Sequence, residues 1–227
     1  MTRERVLMCW SGGKDSAMAL YELQRTGRYD VAALLTTVTE AYDRISMHGV
    51  RRALLREQAE VLGLPLHEIF LTPGAPNTEY ESKMREALLQ FKAQGVTGVV
   101  FGDIFLEDLK IWREQKLAEV DLCGIFPIWQ RDTRELVQSV IRVGIKTVLC
   151  CVDPKQLDPS FVGRVIDEQF VRDLPAGVDP CGENGEFHSF VYDAPNFARP
   201  IPWTRGEVVL RDGFYFCDLL PADLVTS

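Results

Sequence analysis

Between residues 11 and 16 the chain reads Ser-Gly-Gly-Lys-Asp-Ser, directly after the apolar run "RVLMCW" and directly before a helical pattern. Gly12 and Gly13 let the backbone approach an anion closely and adopt positive φ. The free N–H groups of the helix start, aligned with its dipole, favour a phosphate. Ser11 and Ser16 add hydroxyl donors, and Lys14 supplies a cation for charge developing on a leaving group. Asp15 would repel a phosphate unless a cation sat between them, which makes it the candidate ligand for Mg²⁺. A dinucleotide fingerprint needs G-x-G-x-x-G, whereas these glycines are adjacent. A Walker A loop needs a glycine five residues before Gly13, and Met8 stands there. The turn reads as a phosphate cradle for ATP.

Other residues join it. Asp103 in "FGDI" follows a buried strand at its carboxyl end, where packing does not explain a charge, so it is assigned to nucleotide or substrate; Gly102 beside it permits close backbone approach. Thr36 and Thr37, ending the second strand, are candidates for adenosine contacts. His48, before Gly49, either touches a phosphate or belongs to a helix-capping loop. Glu183 and Glu186 flank Asn184-Gly185, a turn that would present both carboxylates to the ATP edge, to hold Mg²⁺ or to position an amine or ammonia. A solvated acidic turn is the alternative. His188 shares a face with Glu186 if the segment is a strand, and reads equally as a packing or a catalytic histidine. The candidate catalytic set is therefore Lys14, Asp15, Glu183 and Glu186. The candidate nucleotide-binding set is Ser11, Gly12, Gly13, Lys14, Asp15, Ser16, Thr36, His48, Gly102 and Asp103. Glu107 and Asp108 read as the polar first turn of a helix, and Trp10 and Trp112 as core or rim aromatics.

The elements that must position these groups alternate. Apolar strands are expected at 5–10, 30–38, 66–71, 95–103, 123–129 and 146–153. Helices are expected from the glycine turn to near Gly27, over 49–64, over Glu79–Gln94, at 106–120 and at 133–143. Such alternation implies an α/β fold with a parallel, doubly wound sheet, whose ligands bind at the carboxyl ends of the strands. That brings 11–16, 36–48 and 102–108 to one edge. From residue 154 the pattern changes to a short helical hairpin, then an irregular loop and antiparallel strands. The expected division is a nucleotide-binding domain over 1–153 and a small C-terminal α+β lobe over 154–227.

Composition narrows the class. With 227 residues, 46% hydrophobic and 26% charged, the chain suits one large α/β domain, or one domain with a smaller appendage. No apolar run approaches the roughly 20 residues of a membrane span, and "VLMCW" is too short for a signal peptide, so a cytoplasmic protein is expected. A net charge of −8 without a basic stripe speaks against nucleic acid as a partner. The six cysteines form no Cys-x-x-Cys pair, which speaks against structural zinc. Cys9, Cys150 and Cys151 read as buried hydrophobes, and Cys181 as the one exposed candidate. The apolar run 214–220 covers either the core or a partner subunit, so a homo-oligomer stays open.

The hexapeptide Ser11–Ser16, in its strand–turn–helix setting, resembles the loop of the N-type ATP pyrophosphatases, which cleave ATP between the α and β phosphates and adenylate a substrate. Three longer stretches, "SMHGVRRALLREQAEVLGLPL" (46–66), "FGDIFLEDLKIWREQ" (101–115) and "CGENGEFHSFVYDAP" (181–195), resemble the diphthine–ammonia ligase family. The resemblance covers roughly residues 5 to 195, and its last stretch is the most distinctive. It implies an adenine nucleotide α-hydrolase-like core with a small lobe facing it, ATP and Mg²⁺ as cofactors, and amidation. ATP would adenylate a carboxylate, small or protein-borne, and ammonia would displace AMP. The family's named substrate is a modified histidine on an elongation factor. The "GENGEFHSFV" version resembles a bacterial branch in which that modification is absent. Two other functions remain: a tRNA-modifying or sulfur-transferring relative, and an adenine-nucleotide sensor without turnover.

Overall fold

The computed structural model describes residues 3–46, 48–74 and 76–222. In chain order the elements are β1 (Glu4–Cys9), α1 (Lys14–Arg25), β2 (Tyr29–Thr39), β3 (Arg44–Ile45), α2 (Arg52–Leu62), β4 (Leu66–Leu71), α3 (Asn77–Ala93), β5 (Gly98–Val100) and α4 (Glu107–Ala118). There follow β6 (Cys123–Ile125), α5 (Thr133–Val143), β7 (Lys146–Val152), α6 (Glu168–Asp173), β8 (Phe187–Asp193), β9 (Trp203–Arg211) and β10 (Phe214–Pro221).

Five strands pair in parallel in the order β4-β2-β1-β5-β6, and the two-residue β3 adds antiparallel to the end of β2. The apolar runs follow from this arrangement. Along β1, Val6 and Met8 enter one hydrophobic cluster, with α1 and α2, while Leu7 enters another, with residues of α3 and α4. Alternate side chains leave a strand on opposite faces, and both faces here are covered. The chain winds outward from β1 through β2 to β4, then returns to β5 on the other side of β1. The order therefore reverses between β1 and β5, and their carboxyl ends flank a crevice.

A second sheet, antiparallel throughout, has the order β8-β7-β10-β9. Here the structure corrects the sequence reading. The run 146–153 was expected to belong with the parallel strands, but β7 lies inside the antiparallel sheet, buried from Thr147 to Val152. An unbroken apolar run reports two covered faces, not strand direction. The change of sheet thus falls ahead of residue 146 rather than at 153. Nor are the cores separate, since Leu149, Phe187 and Phe190 share a cluster with Met18, Leu20 and Val100. The expected helical hairpin after residue 154 reduces to a single turn at Pro159–Phe161 and the six-residue α6, because Pro159 and Gly163 interrupt it. The expected strand 123–129 stops at Ile125, ahead of Pro127. Among the described residues no helix is long and apolar enough to cross a membrane.

The sheets meet at the glycine turn. β8, the edge strand of the second sheet, donates Val191 N–H to the Gly12 carbonyl at 2.9 Å. Gln58 of α2, fully buried, spans the joint. Its Nε2 donates to the Gly12 and Val191 carbonyls at 3.0 and 2.7 Å, and its Oε1 accepts from Trp10 Nε1 at 2.9 Å.

Candidate active site

At the crevice between β1 and β5 lies a cavity of about 460 Å³, lined by Ser11, Gly13, Lys14, Asp15 and Ser16 from the turn and by Thr36, His48, Gly102, Asp103 and Glu183 from elsewhere. Of the sequence candidates only Gly12 and Glu186 fall outside its lining.

The turn is built by close approach. Gly12 takes positive φ (77°), and a Cβ there would come within 2.6 Å of Gln58 Oε1. Gly13 does not take positive φ as expected. It is the extended residue ahead of α1, pressed against His48 and the Ser189 carbonyl. Ser11 Oγ accepts from Gly13 N–H at 3.3 Å and lies 3.1 Å from Ser16 Oγ, which donates to the Gly13 carbonyl at 2.9 Å. Because α1 begins at Lys14, its first-turn amides lack intrahelical acceptors, an arrangement suited to an anion. The Lys14 amide is taken by Ser189 Oγ at 3.2 Å.

Lys14 and Asp15 form a buried pair, Nζ to Oδ2 2.8 Å, and Nζ also donates to the Cys181 carbonyl. Burial works against the ammonium, but Asp15 overrides it and holds the lysine above its ordinary range, charged. Burial pushes the Asp15 carboxyl up, and Lys14 pulls it back only in part. Asp15 Oδ1 is buried with no hydrogen-bond partner. That orphaned oxygen suits a hard cation, while among the described residues no three His, Cys, Asp or Glu side chains cluster as a metal cage. Mg²⁺ is commonly held by one or two carboxylates together with substrate phosphates, and Asp15 fits that pattern.

The acidic loop divides its carboxylates. Glu186, 2% exposed, accepts from the Asp179 and Asn184 amides at 2.9 and 3.0 Å and from Asn184 Nδ2 at 3.2 Å. It fixes the loop and does not face the cavity, contrary to expectation. Nor does it share a face with His188, because β8 begins only at Phe187. Asp179 likewise turns inward, accepting from the Cys181 and Glu183 amides. Glu183 alone turns into the cavity, where it accepts the Ile104 amide at 2.8 Å. Burial pushes it up to about 7.

Gly102 fits because a Cβ there would meet the Asp15–Ser16 backbone at 2.8 Å; the close approach is to the cradle itself. Asp103 pairs with Arg113, Oδ2 to Nε 2.7 Å, and Arg113 stacks over Phe101 at 4.4 Å. The Thr36 hydroxyl is engaged by the Trp10 carbonyl at 2.6 Å. His48 stacks on His188, centroids 4.5 Å apart. Burial holds His48 well below the usual range and His188 down at about 4, so both are neutral near pH 7. In this arrangement His48 faces the cavity as a neutral ring. Cys181, expected to be exposed, is 1% exposed with its thiol pushed up by burial; Cys123 is the exposed cysteine.

Sequence reasoning missed Gln58, Arg113 and Ser189. Gln58 lies in an amphipathic helix among buried positions, the one signal that could have exposed it.

A doubly wound parallel sheet with a glycine–lysine–aspartate turn at its reversal point defines an α/β protein with a cavity suited to an anion. Comparison with known proteins goes further. Residues 4–123 match the diphthamide synthase N-terminal domain and residues 132–218 the diphthamide synthase C-terminal domain. The chain belongs to the diphthamide synthase family. Diphthine–ammonia ligases of Bos taurus and Homo sapiens are each 26% identical over 233 residues, covering 93% of this chain and 87% of theirs. A solved structure titled a predicted subunit of tRNA methyltransferase, from Methanocaldococcus jannaschii, is 17% identical, with a TM-score of 0.43 over 83% of this chain and 96% of that one.

Proposed function

We propose that the chain is an ATP-dependent, AMP-forming ligase that adenylates a carboxylate and amidates it with ammonia. The observation that carries this is the convergence, in one cavity, of the helix-terminal cradle with a charged Lys14 and of Glu183 from the facing lobe. The names of the relatives, diphthine–ammonia ligases, point the same way. In the first step a carboxylate oxygen attacks the α-phosphorus of ATP, the bond to the β-phosphate oxygen breaks, and pyrophosphate leaves. In the second, ammonia attacks the acyl carbon, the bond to AMP breaks, and the nitrogen sheds one proton.

Lys14 and the first-turn amides of α1 stabilise charge on the departing phosphates. Asp15 Oδ1 would hold Mg²⁺, which supplies charge neutralisation along the phosphate chain. Glu183, at about 7, suits acceptance of the proton shed by the nitrogen. The acceptor is a carboxylate, small or protein-borne, and the reaction takes place in the cytoplasm. Sulfur transfer is disfavoured, since burial pushes Cys9 to about 12 and Cys181 higher still, against thiolates at neutral pH.

Pyrophosphate exchange into ATP tests the first step without ammonia. Exchange stimulated by a carboxylate-rich extract and absent from Lys14→Ala is expected; equal exchange in wild type and variant would overturn the reading.

A further inference from the structure

Beside the cradle cavity lies another of about 440 Å³, and both are lined by Ile45, Ser46 and His188. No residue of the cradle lines the second one. Its walls join the two sheets: Leu71 from the end of β4 faces Val209, Phe214 and Phe216 from β9 and β10, with Tyr42 at the rim. Its charges are largely answered within the protein. Asp218 accepts from Arg44 at 3.0 Å and from Arg51 Nε and Nη2 at 2.9 and 2.6 Å. Among the lining residues the cations Arg44 and Arg211 are matched by the carboxylates Asp212 and Asp218, beside an aromatic wall. The Arg211 guanidinium sits 5.5 Å over the Tyr42 ring.

We infer that this second cavity is the acceptor subsite, seating the apolar body of a small organic acid so that its carboxylate reaches past His188 into the cradle. The inference rests on the ligase reading and names its substrate class. Two features argue for it. The volume lies within the roughly 300–1,000 Å³ typical of small-molecule sites, and the apolar wall of Leu71, Val209, Phe214 and Phe216, edged by polar side chains, matches their usual chemistry. The two cavities adjoin at Ile45, Ser46 and His188, which line both, so a ligand seated in the second lies next to the cradle.

Binding is tested apart from turnover. Saturation-transfer NMR on the full chain, with a non-hydrolysable ATP analogue bound, would use 3-phenylpropionate, indole-3-acetate and octanoate as probes. Val209→Trp fills the cavity from one wall, and Thr72→Trp from the other should the first fail to fold. At least one probe is expected to bind, with at least tenfold weaker affinity in the filled variant and ATP-analogue affinity within twofold of wild type. Binding by none of the probes, equal binding in the filled variant, or displacement of the analogue by a probe would overturn the inference. Carboxylate-stimulated exchange seen only with a protein fraction would overturn it too, leaving the ligase reading intact. Probe binding without any exchange would sink the ligase reading instead.

Discussion

Glu183 shows how much one side chain's surroundings decide. Three carboxylates occupy the loop from 179 to 186, and two are spent on its own amides. Only Glu183 enters the cavity, where burial holds it at about 7. In the native chain it therefore binds its proton over a range in which the unfolded chain has released it. Its contribution to stability is present below the usual carboxylate range and is lost as pH rises through about 7. Glu183→Gln, which keeps the acceptor for Ile104, should raise the melting temperature at pH 8 and leave it nearly unchanged at pH 4. In amide formation at constant free ammonia, the wild-type rate should climb through an apparent pKa near 7, and the variant should lose that limb. A variant with the full limb would remove Glu183 from proton transfer. Cys181→Ser should retain wild-type turnover, because a buried thiol with a raised pKa is no nucleophile; loss of turnover would restore a thiol-based mechanism. The cradle residues were legible because each type has a narrow chemical use at a helix terminus. The split between Glu183 and Glu186 was not, because two identical carboxylates three residues apart differ only in which amides the folded loop brings to them.

Among the elements, the parallel strands and their helices were read to within a few residues, since covered strands and amphipathic helices impose strong periodicities. β7 was assigned to the wrong sheet, because burial on both faces is compatible with either direction of pairing. Gln58, a polar residue that periodicity counts as an interruption, joins the Val191–Gly12 and Lys14–Ser189 hydrogen bonds in holding the cradle against β8. Gln58→Leu should strip a donor from the Val191 carbonyl and the acceptor from Trp10 Nε1, while the Gly12 carbonyl keeps the Val191 N–H. At about 1–3 kcal/mol for each buried group left unpaired, chemical denaturation should register a loss of several kcal/mol, some of it relieved by relaxation. A change under 0.5 kcal/mol would mean that the joint is held elsewhere. Gly102→Ala acts on the cradle itself, from the loop after β5. Its methyl group would strike the first turn of α1, so the ATP KM should rise about tenfold while the chain stays folded.

For the whole molecule, the site is a seam between two sheets that share one core. The lobe supplies Glu183, His188 and Ser189, and the parallel sheet supplies the cradle. Asp218 of β10 clamps Arg44 of β3 and Arg51 ahead of α2 across that seam. Asp218→Asn should cost about 2 kcal/mol in denaturant unfolding; an unchanged midpoint would remove the clamp. The central claim is that ATP is cut next to its α-phosphate. Its most direct measurement is nucleotide product analysis with Mg²⁺-ATP, ammonium and a carboxylate-rich extract, for wild type and Lys14→Ala. The account predicts protein-dependent AMP that falls by about 10²–10³ in the variant. ADP in place of AMP, or AMP undiminished in Lys14→Ala, would contradict it.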